Sequence, residues 1–294
     1  MKKKWRTARA ISYTVLMVYA IVSLSPFIWV FLVSVAPMIY HVNGKPVGVN
    51  IMQWPPEINI FKFPPEVFGA PSTVSNYVKV FEVTPFARWI LNTIIYAGSV
   101  TLANLVLDAF AGFAFARLKF PGRNLIFTIL LGTLMVPFPV IIIPVYNMMV
   151  NLNLVNTYAG LIFPKIASVT GLFLMRQFYM SIPLEMDEAA KIDGAGIFRR
   201  FWQIDSPIAL PAFATLAIYT FMGTWNDFLW PLIITSSKDM FTLTMGLNFF
   251  RTSYYTFWQL MMAASILMTV PMIVIFLSLQ KQFVETGATS ALKG

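Results

Sequence analysis

The 294-residue sequence has no cysteine, a single histidine and few charged residues. The missing cysteines exclude disulfides, thiolate nucleophiles and zinc–thiolate centres. Asp, Glu, Lys and Arg make up only 11% of the chain, against about 25% in ordinary soluble domains. So few charges cannot clothe a soluble protein of this length. A phosphate loop of the G-x-x-x-x-G-K-[ST] form is also missing; GATSALKG near the end has the wrong spacing. There is no H-E-x-x-H, no G-x-S-x-G and no dinucleotide fingerprint. His41 falls in a loop and reads as solvated. No catalytic, cofactor or metal site is expected in this chain.

What is present is apolar. Hydrophobic residues are 58% of the chain and the mean hydropathy is +0.71. That balance describes an all-α polytopic membrane protein. The net charge of +9 does not point to nucleic acid, because no soluble basic domain is there to bind it. In a membrane protein, basic residues mark cytoplasmic loops and meet anionic headgroups of the lipid bilayer.

The hydropathy pattern predicts six transmembrane helices, near 11–37, 89–113, 125–148, 158–178, 209–234 and 259–280. The start, MKKKWRTARA, is basic like a signal peptide. The apolar run after it exceeds a signal core of about 7–15 residues, so it reads as a retained first span. Lys2, Lys3, Lys4, Arg6 and Arg9 precede that span. Arg117, Lys119 and Arg123 lie between the second and third. Arg176, Lys191, Arg199 and Arg200 flank or occupy the segment between the fourth and fifth, and Lys281 and Lys293 follow the last. The uncharged turn NLNLVN lies on the opposite side. Both termini are therefore expected in the cytoplasm of a multi-pass protein of the cell (inner) membrane. The organisation reads as 1–37, N-terminus and first span; 38–88, an extracytoplasmic cap; 89–280, a core of five spans; 281–294, a cytoplasmic tail. The cap is rich in Pro and aromatics (WPPEINIFKFPPEVFG), which argues turns rather than another crossing.

One polar stretch interrupts the apolar runs on the cytoplasmic side: SIPLEMDEAAKIDGAGIFRRFWQIDSPIALP, Ser181 to Pro211. Ser181 and Pro183 can open a helix. Glu185, Asp187 and Glu188 suit its first turns, where the helix dipole favours negative charge. Gly194 and Gly196 then break it. Ile197, Phe201 and Ile204 recur at helical spacing and predict a second short helix, which Pro207 should stop. Arg199 and Arg200 are expected to project from it, and Ala189 and Ala190 allow another backbone to approach. The prediction is an elbow of two short helices; an interfacial surface loop is the alternative.

The spacing of Glu188, Ala189, Ala190, Asp193, Gly194, Gly196, Ile204 and Pro207 resembles the EAA signature of binding-protein-dependent ABC importer permeases. Ser206 stands where that family usually has Leu, and Gly196 where Ser is frequent. FARLKFPGR, NTYAGLIFP, LMRQFYMSIP, WNDFLWPLI and the tail ending ALKG are similar to its carbohydrate branch, the maltose-type second permease. The resemblance covers about residues 85–294 and leaves 38–88 outside. It implies a type I permease core whose 181–207 segment couples to a cytoplasmic ATPase. It also implies two ATPase subunits carrying ATP and magnesium, a second permease as homologous heteropartner, and an extracytoplasmic solute-binding protein. The solute would be a sugar or oligosaccharide, with glycerol phosphate compounds also open, and its site would lie mainly on the partner permease.

Charged groups inside a span cost about 2.5–3.5 kcal/mol on insertion scales. Lys165 and Asp227 each fall roughly 10–12 Å below the outer end of their spans. They can pair or line one cavity along a translocation path with Trp225 and Asn226. Alternatively Lys165 snorkels and Asp227 is held by Asn226 or backbone. Asp108 is expected near Arg117 or the interface. Trp225, Phe228 and Trp230 suit either sugar stacking or the interfacial aromatic belt. Arg251, Tyr254 and Tyr255 lie in an outer loop similar in position to one that meets the binding protein. An ion-gradient-driven secondary transporter is the competing class, but that class favours repeats and midplane carboxylates. An intramembrane enzyme would need paired catalytic residues.

Overall fold

The computed structural model describes residues 2–42, 45–251 and 255–291, which are mostly helical. They fall into two compact units, Met1–Phe86 with Leu247–Pro271 and Ala87–Gly246 with Met272–Gly294.

The first unit is built on α1 (Lys2–Val35), a 34-residue helix that carries no charge from Ile11 to Val35. Residues 11–28 are exposed along their whole length, as befits a helix whose solvent is lipid. Beyond its C-terminal end the cap segment, 38–88, is not purely helical. It carries the hairpin β1 (Ile39–Val42) and β2 (Lys45–Gly48), then a small antiparallel sheet of β3 (Ile58–Asn59), β4 (Glu66–Val67) and β5 (Ala70–Pro71). Phe68 and Gly69 turn between β4 and β5 with φ of +54° and +72°. The helix α2 (Ser75–Val83) then docks on α1. Asn76 Nδ2 donates to the carbonyls of Ser34 and Ala36, both at 2.8 Å, and so satisfies acceptors left over at the end of α1. Val33, Ala36, Val67 and Phe68 form the core of this unit.

The second unit holds the broken helices. Only three helices in the described chain are long and apolar enough to cross a membrane unbroken: Ile11–Val35, Phe86–Arg117 and Trp258–Ile275. They belong to α1, α3 (Phe86–Arg117) and α14 (Trp258–Ala291). Three expected spans are instead interrupted, two of them as bent pairs. α4 (Arg123–Thr133) and α5 (Phe138–Asn151) meet at 100°. Pro137 lies at that break; it has no N–H for the helical ladder and restrains the residue before it. α6 (Tyr158–Ile162) continues as a tight turn to Lys165 and meets α7 (Val169–Ser181) at 44°. The predicted span 209–234 is α11 (Leu210–Trp225), a break at 226–228, then α12 (Leu229–Ile234).

Between α7 and α11 lies the predicted elbow. α8 (Leu184–Ile192) ends at Asp193, and Gly194 takes φ +75°, a left-handed turn that side chains disfavour. α9 (Ile197–Arg200) starts at Gly196 and widens into a π-turn at Phe201–Asp205, then α10 (Ser206–Ile208). Two details differ from expectation. Pro183, not Ser181, precedes α8, because Ser181 closes α7 and bonds back to Phe178 O at 2.7 Å. Pro207 sits inside the first turn of α10, where a missing N–H is harmless, and the chain instead bends by 78° at Ala209. The short α13 (Leu243–Gly246) closes against α3, where the Gly246 backbone lies on the Trp89 ring with no room for a side chain.

Candidate functional site

The elbow is mounted on four buried charges. Arg117, the last residue of α3, brings Nε within 3.4 Å of Asp187 Oδ2 and 3.3 Å of Asp205 Oδ1. Its Nη2 donates to Ile182 O at 2.9 Å, at the joint between α7 and α8. Arg200 Nη1 donates to Asp187 Oδ1 at 3.2 Å. All four side chains are buried. Two arginines balance two aspartates, which makes burial tolerable. The π-turn explains the grouping. In a π-helix, residues five apart face each other, so Arg200 and Phe201 share an inward side with Asp205 and Ser206. Burial pushes the Asp205 carboxyl upward in pKa, Asp187 adds to the rise, and Arg117 and Arg200 oppose it. Arg200 Nε and Asp205 Oδ2 have no hydrogen-bond partner among the described residues. The cluster thus keeps spare donor and acceptor capacity.

Arg200 is therefore not the outward contact expected of it. Arg199 is exposed and donates to Gln203 at 2.9 Å. Ala190 also faces inward, so only Ala189 of the alanine pair is open to another chain. Glu188, Asp193, Gly194, Gly196 and Pro207 are exposed, and Ile204 is half-buried. Beside them Ile192 is 86% and Phe198 73% exposed. The outer face of the elbow is an apolar knob on a charged mount.

The second feature is deeper in the bundle. Lys165 Nζ lies 2.6 Å from Asp227 Oδ2, so these two residues do pair. Both come from breaks: Lys165 ends the tight turn after α6, and Asp227 sits between α11 and α12. A break frees backbone groups that need partners, and the surrounding side chains supply them. Asn104 Nδ2 donates to Lys165 O at 2.7 Å, and Thr244 Oγ1 to Asp227 O at 2.6 Å. Tyr96 OH donates to Asp227 Oδ2 at 2.8 Å. The Lys165 ammonium also lies 5.0 Å from the Phe138 ring centroid. Lys165 does not reach for the headgroups.

The neighbours expected along a path separate here. Asn226 is exposed and donates to Met222 O at 2.9 Å. Trp225 is enclosed, stacked on Phe221 at 5.5 Å, and offers no open ring face to a solute. Trp230 is fully buried, its Nε1 shared between Gly160 O and Leu161 O at 3.2 Å each. Of the three aromatics only Phe228 is exposed. Before α14, Arg251 and Tyr255 are exposed, and Arg251 bridges to Thr256; Tyr254 lies outside the described residues.

Asp108 is placed differently from expectation. It is buried and accepts from Ser168 N at 2.9 Å and Ser168 Oγ at 3.0 Å. It thereby supports the start of α7, not Arg117, and a side chain added at Gly171 would run into its carboxylate. Hydropathy could not foresee this, because the helix start at Ser168 lies inside an apolar run.

These features have relatives. Residues 108–285 match the family described as "binding-protein-dependent transport system inner membrane component". The chain belongs to this family. The matched stretch of the permease contains the elbow, all four charges of its mount and the Lys165–Asp227 pair. The permease is 33% identical over 223 residues to the arabinooligosaccharides transport system permease protein AraQ of Halalkalibacterium halodurans, covering 76% of this chain and 80% of the relative. It is 41% identical over 204 residues to the sn-glycerol-3-phosphate transport system permease protein UgpE of Yersinia pestis, covering 69% and 73%. Its fold matches a chain of a bacterial ABC transporter involved in import of the acidic polysaccharide alginate, with TM-score 0.76, 21% identity and coverage of 94% and 96%.

Proposed function

We propose that this permease is the transmembrane subunit of an ATP-driven importer that takes up a sugar, oligosaccharide or similar polyhydroxy solute. The relatives' named solutes, arabinooligosaccharides and sn-glycerol-3-phosphate, support that class. The solute arrives on an extracytoplasmic binding protein, as a related alginate transporter in complex with its pentasaccharide-bound periplasmic protein suggests. A second, homologous permease completes the path, and two ATPase subunits carry ATP and magnesium. Six crossings with both termini in the cytoplasm are supported by up to six spans when each bent pair counts as one and by the basic loops.

The observation that carries the mechanism is the elbow itself. Exposed Ile192 and Phe198 with Ala189 suit a groove on an ATPase subunit. Underneath, Arg117 ties both arms of the elbow to α3. An ATPase that moves the knob therefore moves α7, α11 and α3 together. Such an element couples two distant sites through one rearrangement.

Reconstitution tests the reading. With binding protein, second permease and ATPases in liposomes, uptake of labelled solute tracks ATP hydrolysis. Uptake by this chain alone under a proton or sodium gradient would overturn it in favour of a secondary transporter.

A further inference from the structure

The cap sequence between β2 and β4 exposes an unusual set of side chains. Phe61 is 95% and Phe63 100% exposed, and Met52, Trp54 and Ile60 are each at least two-thirds exposed. Lys62 lies between the two phenylalanines and pairs with Glu66 at 2.7 Å. An aqueous loop gains nothing by presenting five large apolar groups at once.

The packing of this loop on α1 fixes its depth. Trp54 lies against Trp29, ring centroids 5.5 Å apart, and Phe68 meets Trp29 edge-on at 5.4 Å. Trp29 stands about 27 Å along the helix from Ile11, at 1.5 Å per residue. Arg9, just before Ile11, is exposed and charged and marks the inner boundary of the apolar span. The hydrocarbon core is about 30 Å thick, so Trp29 reaches the outer boundary between acyl chains and headgroups. Trp54 is at the same level. The cap is thus seated at the membrane surface rather than held above it.

We infer that residues 50–64 form a lipid-contacting loop, with Phe61 and Phe63 inserted into the outer leaflet of the permease's own bilayer. Trp54 joins the loop to α1 at Trp29, next to residues 11–28, which are exposed throughout. Aromatic and aliphatic side chains bracketing a lysine are the composition of an interfacial anchor: rings enter the acyl boundary while the ammonium stays among headgroups. This contact steadies the cap, and through Asn76 the outer end of α1. The inference rests on α1 crossing the bilayer.

The cysteine-free chain makes the test direct. Phe61→Cys, Phe63→Cys and Tyr19→Cys variants are spin-labelled singly, in the assembled transporter in lipid nanodiscs, after retained uptake is checked. The accessibility of each label to oxygen and to a water-soluble nickel chelate is then measured. At positions 61 and 63 oxygen is expected to dominate severalfold. Chelate access at both would place the loop in water and overturn the inference. Protection from both reagents would mean that a protein partner covers the loop, which equally overturns it. Position 19 separates the premise: oxygen access there with chelate access at 61 and 63 defeats only the lipid loop, whereas chelate access at 19 defeats the spanning reading of α1.

Discussion

Arg117, at the C-terminal end of α3, and Asp187, in the first turn of α8, form a buried ion pair at 3.4 Å. Removing one partner leaves one buried charge of the four-member cluster uncompensated, at about 3–5 kcal/mol. Arg117→Ala is expected to lower the thermal stability of the assembled complex by that order and to sever solute uptake from ATP hydrolysis. Asp187→Ala should do the same, and the double variant should cost less than the sum. Full additivity, measured in denaturation and uptake, would show that the two act independently.

Asp205 makes the opposite case. Its carboxyl is pushed upward in pKa by burial and by Asp187. A folded value above the unfolded one of about 3.9 means that ionisation weakens the fold as pH rises through that interval. Asp205→Asn removes the ionisation. The Tm of the variant should therefore gain on that of the native chain as pH climbs from about 4, in thermal scans of the complex. A gain toward lower pH would contradict the assigned sign.

Lys165 and Asp227 are expected to be coupled in transport. Lys165→Ala and Asp227→Ala each reduce uptake, and the pair together falls short of the sum by about 0.5–3 kcal/mol in a double-mutant cycle. Additive losses would show that the 2.6 Å contact has no role in the transport cycle.

The two glycines of the elbow should separate. Gly194 holds φ +75°, whereas Gly196 is at −69°, and neither has a neighbour within 4 Å of an added Cβ. Gly194→Ala carries left-handed backbone strain of about 1–2 kcal/mol and should reduce co-purification of the ATPase. Gly196→Ala should leave it intact. Equal losses would point to direct contact rather than backbone shape.

Much of this was legible in the sequence, for reasons that can be named. The elbow announced itself because glycine and charge stand out against apolar runs. That Lys165 and Asp227 could meet followed from helical rise alone. What hydropathy cannot register is a bend: Leu134, Met135 and Val136 are as apolar across the break before Pro137 as in a straight helix. The charge cluster was hidden for a related reason. Arg117 counted as one more basic loop residue, and Arg200 was assigned outward because an ordinary helical period gives no hint of the π-turn at Phe201–Asp205. Asp108 found Ser168 rather than Arg117 because α7 starts in mid-run.

That start gives α7 the character of a lever with a defined pivot. Asp108 and the Ser168 hydroxyl supply acceptors to the first N–H groups, so the rod can swing without stripping its own end of hydrogen bonds. Its 13 residues measure about 20 Å. A displacement of one helical turn at the elbow, about 5 Å, would rotate it by roughly 15°. The far end, beside Lys165, would scarcely move, so in the proposed cycle a large stroke at the elbow would arrive there as a change of angle.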